Sequence, residues 1–285
     1  MPRRSFNGAT VLVTGAGGGL GRAIAEHFAA AGAHIVAVDK DAAAVASLQA
    51  TLEARGRACL SLPCDVTDPD ACARAVAAAI ERFGALDVLV NNAGMSHRSG
   101  LGDTDLAVIR RVMEVNFFGA VHCTKAALPC LIERRGLVVA ISSVAGYTPL
   151  IARTGYAASK HALHGFFESL RTEVAPQGVQ VMMACPSFIA TQIDRNALGG
   201  DGLPVRHAQV TIGRPLTADA AAQQIVAGAA RGRRLLLVGR TAWMAWWISR
   251  LAPSLYEKLM ARRLRGELES SATTARPDPE RKLRP

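Results

Sequence analysis

Three polar side chains stand in an otherwise apolar stretch, SSVAGYTPLIARTGYAASK, at residues 142–160. Ser143 precedes Tyr156 by thirteen positions, and Lys160 follows Tyr156 by four. Residues four apart are neighbours on a helix, so the phenol and the amine would share one face. A free phenol has a pKa of about 10, and a nearby ammonium lowers that pKa by favouring the phenolate. Such a tyrosine can exchange a proton with an alcohol or a ketone, and Ser143 can donate a hydrogen bond to the same oxygen.

An apolar stripe continues along the same predicted helix. Leu163, Phe167, Leu170 and Val174 follow at helical spacing, which is typical of a helix face that packs on the protein core. Because this stripe is in line with Tyr156, the helix would direct the phenol and the amine inward.

Short β-rich runs alternate with helical runs up to residue 240. The strand-like runs lie at residues 9–14, 34–39, 58–65, 86–94, 137–143, 179–186 and 234–239. Several are wholly apolar, which is typical of strands covered by helices on both faces. The alternation predicts an α/β fold, in which residues 1–240 form a single Rossmann-like, doubly wound domain with a seven-stranded parallel sheet.

A glycine-rich turn, TGAGGGLG at residues 14–21, follows the first of these runs. Gly15, Gly19 and Gly21 permit a tight turn and let backbone amides approach a phosphate, and Leu20 lies among them. The start of the next helix adds the positive end of its dipole. A strand, a glycine-rich turn and a helix in this order predict a site for the pyrophosphate of a dinucleotide.

Asp39 ends the second strand-like run, eighteen residues after Gly21. A carboxylate at this point can accept hydrogen bonds from both hydroxyls of an adenosine ribose, and it repels a 2′-phosphate. The sequence therefore favours NAD over NADP, although Lys40 beside Asp39 leaves NADP open.

These residues together resemble the classical short-chain dehydrogenase/reductase family, over about residues 8–240. The matching positions are TGAGGGLG (14–21), Asp39, Asp65-Val66, NNAG (91–94), Asn116, Ser143, Tyr156-x-x-x-Lys160, Pro186 and Thr191. Each motif is weak alone, but their order and spacing are specific to this family.

The resemblance implies which residues would surround the cofactor. Asp65 and Val66 would flank the adenine. Asn92, Ala93 and Gly94 would line a ribose.

The resemblance also implies roles at the nicotinamide end. Ile189 and Thr191 would hold the carboxamide, and Lys160 would bind the nicotinamide ribose. Asn116 would hold a water that links Lys160 to solvent. The family usually has glycine where this chain has Ser187, a side chain that would reshape the nicotinamide end.

The predicted function is an NAD(P)(H)-dependent oxidoreductase that interconverts a secondary alcohol and a ketone. Tyr156 would be the acid/base, with Ser143, Lys160 and Asn116 in support, and no metal is expected. An apolar, steroid- or lipid-like substrate is an analogy with family members that carry a C-terminal extension. Two alternatives stay open: an NADP(H)-linked carbonyl or 3-oxoacyl reductase, and a non-catalytic NAD-binding regulator or scaffold.

The net charge of +10 is concentrated at the end of the chain, because residues 231–285 carry +8 of it. The body is close to neutral, which argues against a nucleic-acid partner. The six cysteines form no CxxC pair, and the N-terminus has no secretory pattern. These features, with the absence of an apparent membrane-spanning run, predict a cytoplasmic protein.

The segment 241–266 holds all three tryptophans among basic residues. This amphipathic composition fits a substrate lid, a subunit contact or a membrane surface, and Pro253 would divide it into two helices. Residues 267–285 are polar and predict a disordered basic tail. The resemblance further implies a homodimer or homotetramer.

Overall fold

The computed structural model describes residues 3–191, 196–205, 211 and 213–274, with only the backbone at 265 and 269–274. Within these residues, nine strands form a seven-stranded sheet and a separate two-stranded ladder, and all their pairings are parallel. The strands are β1 (Thr10–Thr14), β2 (His34–Asp39), β3 (Cys59–Pro63), β4 (Val88–Asn91), β5 (Leu137–Ile141), β6 (Gln180–Pro186), β7 (Ile189–Ala190), β8 (Leu216–Thr217) and β9 (Leu235–Val238). β1, β4 and β5 are buried along their whole length, as their apolar sequences require.

Helices connect the strands in the order that the sequence pattern predicts. They are α1 (Gly19–Ala30), α2 (Ala42–Glu53), α3 (Pro69–Phe83), α4 (Leu106–Met113), α5 (Gly119–Glu133), α6 (Thr154–Val174), α7 (Ala218–Ala230), α8 (Arg240–Leu251) and α9 (Pro253–Thr274). One core cluster joins α1, α2 and α7 to one face of the sheet. A second cluster joins α3, α5 and α6 to the other face.

The order of the seven-stranded sheet is β3-β2-β1-β4-β5-β6-β9, and every pairing in it is parallel. The chain reverses its direction of winding between β1 and β4. Ligands of such sheets bind beyond the carboxyl ends of the strands at this reversal. The predicted Rossmann-like, doubly wound fold with a seven-stranded parallel sheet is confirmed.

Two short features were not predicted. β7 and β8 pair as a separate two-residue ladder, too short to leave a periodic pattern in sequence. A π-helical turn, Glu114–Phe118, joins α4 to α5 within one continuous helix. It widens the helix where Asn116 is buried, and such turns occur often at functional sites.

The prediction of a disordered tail from residue 267 is wrong for its first part. α9 continues to Thr274, and Glu267 and Leu264 are buried. Two buried arginines lie 3.7 Å from the Glu267 carboxylate, so this residue of the predicted tail contacts the body. Residues 275–285 lie outside the described residues.

One described helix is long and apolar enough to cross a membrane by length and composition, Leu106–Glu133, with a mean hydropathy of 1.3 in its most apolar window. No run of this kind was expected from the sequence. The helix lies in the layer that covers the sheet, where α5 contributes Cys123, Ala127 and Leu131 to the core. A core helix passes the same test, so this finding is weak evidence for a membrane span.

Candidate active site

A continuous cavity of about 1120 Å³ runs from the glycine-rich turn to the underside of α8 and α9. The predicted site residues that line it are Gly15, Gly19, Leu20, Gly21, Asp39, Asp65, Val66, Asn92, Ala93, Gly94, Ser143, Tyr156, Lys160, Ile189 and Thr191. The structure thus brings together every predicted site residue except Asn116, which lies behind the wall of the cavity.

The glycine turn leaves room for an anionic group. A Cβ built on Gly21 would collide with the carbonyl oxygen of Gly15, and Gly15 itself has a φ of +65°. Space is open around Gly18, the residue before α1, and no described side chain caps the first amides of that helix. Unsatisfied amides at a helix start fit a phosphate.

Thr14 joins the ends of β1 and β4, although its side chain was not among the predicted site residues. Its Oγ1 accepts hydrogen bonds from the backbone amides of Asn92 and Ala93, both at 2.9 Å. Asn92 Nδ2 in turn donates to the carbonyl oxygen of Thr14 at 2.9 Å. These bonds hold the carboxyl ends of β1 and β4 together at the point where the winding of the sheet reverses. The only sequence signal for Thr14 is its place between the first strand and the glycine turn.

Asp39 lies at the carboxyl end of β2 and is held by backbone amides. Its Oδ2 accepts from Gly17 N and its Oδ1 from Asp41 N, each at 3.0 Å. The fixed carboxylate borders the cavity next to the exposed Lys40. Asp39 and Lys40 therefore place opposite charges side by side at this end of the cavity.

Asp65 and Val66 form the loop after β3. Two hydrogen bonds from Thr67, the backbone one foremost, hold the pKa of Asp65 below its usual value. Gly119 packs closely against Val66, because a Cβ on Gly119 would lie only 2.6 Å from the Val66 side chain. His122 Nδ1 also lies 3.0 Å from the carbonyl oxygen of Val66. His122 had no signal in the sequence.

Tyr156 and Lys160 lie in the first two turns of α6, on the face that meets the cavity. Lys160 Nζ donates a hydrogen bond of 2.9 Å to the carbonyl oxygen of Ile141 and lies 5.7 Å from the centre of the Tyr156 ring. Burial of the amine lowers the pKa of Lys160 to about 8. Ser143 follows β5, where its Oγ accepts from Ala145 N at 3.2 Å. Three groups suited to proton transfer thus meet at one end of the strands.

Asn116 is buried in the π-helical turn and spans the space behind the cavity. Its Oδ1 accepts from Met95 N at 2.8 Å, and its Nδ2 donates to Met95 O at 3.0 Å and to Ser159 Oγ at 2.9 Å. A Cβ on Gly94 would lie 3.2 Å from Asn116 Oδ1 and 3.7 Å from Lys160 Nζ. In this geometry Asn116 positions the loop after β4 beside Lys160.

His97 positions the start of α6, and sequence reasoning missed it. The ring is fully buried, and its Nε2 accepts a 2.9 Å hydrogen bond from Gly155 N, one residue before Tyr156. Burial, and next the positive charge of Arg153, lower the pKa of His97 to about 4. The imidazole is therefore neutral at physiological pH and can accept this bond.

The far end of the cavity is apolar and is covered by α8 and α9, which we call the roof. Its apolar lining consists of Leu150, Phe188, Leu198, Met244, Ala245, Ile248, Leu259 and Met260. Tyr256, Arg153 and Arg263 add polar groups. Ser187 also lines this end, and its Oγ would lie 3.3 Å from a Cβ on Gly239.

Specific contacts hold the roof on the body. Tyr147 donates to the carbonyl oxygen of Ala242 at 2.8 Å, and Tyr256 donates to Thr148 Oγ1 at 3.0 Å. Glu267 Oε1 lies 3.7 Å from guanidinium nitrogens of both Arg98 and Arg153. These contacts anchor both α8 and α9 on the body, so the roof is part of the cavity wall.

Comparison with known proteins agrees with this geometry. The family model for short chain dehydrogenases matches residues 9–200. A Bos taurus protein, dehydrogenase/reductase SDR family member 7B, is 40% identical over 276 residues, which cover 94% of this chain and 85% of the relative. An Anopheles gambiae relative, dehydrogenase/reductase SDR family protein 7-like, is 37% identical over 272 residues, which cover 91% of this chain and 84% of the relative.

A solved structure is similar over the same region. It is a short chain dehydrogenase/reductase from Burkholderia phymatum in complex with NAD, with a TM-score of 0.79 and 26% identity. The match covers 88% of this chain and 96% of the Burkholderia chain. The chain therefore belongs to the short-chain dehydrogenase/reductase family and is an oxidoreductase of that family.

Proposed function

We propose that this protein moves a hydride between a nicotinamide dinucleotide and a secondary alcohol or ketone. The observation that carries the proposal is the buried amine of Lys160, 5.7 Å from the Tyr156 ring, in a cavity continuous with the glycine turn. A charged amine is costly to bury and is retained where it tunes or binds another group.

The cofactor site fits a dinucleotide. The open start of α1 would hold the pyrophosphate, and Asp39 would accept the hydroxyls of the adenosine ribose. NAD is the proposed cofactor, since a fixed carboxylate repels a 2′-phosphate. The Burkholderia relative was solved with NAD, in support of this choice. Lys40 and Arg111 border the same end and favour NADP as the second candidate.

Each catalytic group has a proposed task in proton transfer. Tyr156 takes the proton of the alcohol during oxidation and returns it during reduction. Lys160 stabilises the phenolate by its positive charge. Ser143 donates a hydrogen bond to the reacting oxygen, where negative charge develops. When bound, the nicotinamide supplies the hydride chemistry.

The proposed substrate is apolar at the end remote from the reacting carbon. The roof contributes Met244, Ile248, Leu259 and Met260 to the lining of this end, opposite Phe188. Ligand sites with such linings bind apolar bodies and use few polar groups for orientation. A lipid-like or steroid-like ketone fits this chemistry.

The test compares turnover of a panel of ketones and alcohols by wild type and by Tyr156→Phe. Turnover is measured by the absorbance of the reduced nicotinamide. We expect the variant to lose about 10²–10⁴ in kcat/KM, the range for a general acid/base, while it still binds dinucleotide. Full turnover in Tyr156→Phe would contradict the role of Tyr156. Tight dinucleotide binding by wild type without turnover on any substrate would favour the regulator alternative.

Location in the cytoplasm and assembly into a homodimer or homotetramer stay predictions. The unpaired state of all six cysteines, five of them buried, supports a reducing compartment. Sedimentation of the purified protein would measure the oligomer.

A further inference from the structure

An exposed apolar strip lies on the roof, and the proposed reaction uses only Met244 and Leu259 of it, which also line the cavity. It consists of Trp243, Met244, Trp247 and Leu251 on α8 and Leu255 and Leu259 on α9, and we call it the apolar ridge. All six side chains are exposed, from 41% for Leu259 to 76% for Leu251. Trp243 and Trp247 contact each other edge to face, with ring centres 6.1 Å apart. Contiguous exposed apolar surface of this kind marks an interaction site.

Basic side chains surround the apolar ridge. Residues 240–263 contain five basic residues, all exposed, and a single acidic one, Glu257. On α9, Lys258 and Arg262 alternate with Leu255 and Leu259 at helical spacing, so charge and apolar surface share one side. A helix surface with tryptophan, leucine and basic residues together is typical of proteins that lie on anionic lipid.

The mouth of the cavity is continuous with the apolar ridge. Met244 and Leu259 line the cavity and are also exposed, at 53% and 41%. The two helices therefore meet at an apolar rim, from which the cavity leads to Tyr156. The charged side chains at this end of the cavity are Arg153, which is buried, and Arg263, which is exposed.

We propose that the apolar ridge docks on a membrane surface that contains anionic lipid, and that the apolar substrate enters the cavity from that membrane. The docking proposal does not depend on the proposed reaction, whereas the proposal of substrate entry from the membrane rests on it. A second copy of the chain is a poorer occupant, because a two-fold contact would place the same basic residues against each other.

The first experiment measures co-flotation of the full-length protein with phosphatidylcholine vesicles, with and without phosphatidylserine. We expect binding to the anionic vesicles that decreases with salt, together with a blue shift of tryptophan fluorescence. The double variant Trp243→Ser/Trp247→Ser should lose at least about tenfold in binding, because two interfacial aromatic side chains are removed. Neither tryptophan lines the cavity, so cofactor binding should not change.

Matched controls separate the apolar ridge from surface hydrophobicity and charge in general. Leu106→Ser/Phe118→Ser removes two apolar side chains that are 61% and 41% exposed and belong to neither helix of the roof. This pair should retain vesicle binding. Lys258→Glu/Arg262→Glu should abolish it, and the exposed pair Arg55→Glu/Arg57→Glu should retain it.

Three results would overturn the proposal: no binding to anionic vesicles at low salt, full binding by the tryptophan variant, or a wild-type dimer that the tryptophan variant converts to monomer without any vesicle binding. The last result would assign the ridge to a second copy.

Turnover distinguishes the two proposals. With a vesicle-borne apolar ketone, anionic vesicles should raise the rate of wild type but not of the tryptophan variant, while both turn over a water-soluble ketone equally. Equal rates of both proteins on the vesicle-borne ketone would refute entry from the membrane. Vesicle binding without turnover of any substrate would leave docking intact and refute the proposed reaction.

Discussion

Lys160 is the residue whose charge has the largest consequence for the proposed chemistry. Burial lowers its pKa to about 8, so the amine is still mostly protonated below that pH. Its hydrogen bond to Ile141 fixes the charge at the floor of the cavity, close to Tyr156. Because the site is poorly solvated, this charge acts on the phenol more strongly than it would in water.

Replacement of Lys160 by methionine should move the acid/base step to higher pH. Loss of the ammonium raises the pKa of the neighbouring phenol, by about one unit or more for a close charge. The pH profile of kcat/KM for alcohol oxidation should shift upward accordingly. Lys125→Met, at an exposed site on α5, is the matched control and should keep the wild-type profile. An unshifted profile in Lys160→Met would contradict the assigned role.

Asp39 should determine the choice between NAD and NADP. Asp39→Ser removes the charge that opposes a 2′-phosphate and should change the ratio of kcat/KM for the two cofactors by on the order of tenfold or more in favour of NADP. Asp41→Ser is the control, because Asp41 caps α2 through Ala44 N and does not line the cavity. An unchanged ratio in Asp39→Ser would assign the choice to Lys40 and Arg111.

The sequence predicted residues that line the cavity and missed residues that act through the backbone. Parallel strands bring their carboxyl ends to one edge, so Gly15, Asp39 and Ser143 could be placed from strand signals alone. Thr14 and His97 bond to amides of distant segments: His97 and Gly155 are 58 residues apart in sequence. No local pattern records such a contact.

At the scale of elements, the start of α6 depends on a histidine that must be neutral. The folded pKa of His97 is about 4, below its ordinary 6.5, so the unfolded chain binds a proton more readily in that window. The free energy of unfolding should therefore decrease as pH falls from about 6.5 to 4. The loss from this one group is at most about 1.4 kcal/mol per pH unit.

Urea unfolding across that pH window should reveal the contribution of His97. His97→Gln can keep an acceptor for Gly155 N without titrating, so its stability should depend less on pH than that of wild type. His161→Gln, at an exposed site on the same helix, should retain the wild-type dependence. Identical pH dependence in wild type and His97→Gln would show that His97 does not titrate on unfolding.

The elements themselves were largely predictable because hydrophobic periodicity records burial. The long apolar runs gave all seven strands of the main sheet. β7 and β8 have two residues each, and the π-helical turn keeps a helical pattern of side chains. Their formation depends on tertiary contacts, such as that of Asn116 with Met95, which local sequence does not encode.

For the whole molecule, the roof should be held by the buried charge of Glu267. Its carboxylate lies between two arginines that are 3% and 1% exposed. Glu267→Gln removes the negative charge that lies 3.7 Å from both guanidinium groups. Breaking a buried ion pair costs about 3–5 kcal/mol.

The measurements are the denaturation midpoint and limited proteolysis of the roof. In Glu267→Gln we expect lower stability and faster cleavage after residue 240, with a raised KM for apolar ketones. Glu257→Gln, exposed on the same helix, is the control and should match wild type. Equal stability and cleavage in Glu267→Gln and wild type would mean that other contacts hold α9.

The sequence left three uses open for the segment 241–266, because an amphipathic pattern does not say what each face meets. Its inner side covers the cavity through Met244, Ile248 and Met260, whereas Trp243 and Trp247 face outward. A lid and an interaction surface are therefore compatible uses of one segment, which residue patterns alone could not reveal.

The position of the roof along the chain has a consequence for synthesis. The glycine turn and Asp39 leave the ribosome long before α9, which must follow every strand of the sheet. The ion pairs of Arg98 and Arg153 with Glu267 can form only after Glu267 emerges. The glycine turn and Asp39 are therefore synthesised before the two helices that cover the apolar end of the cavity.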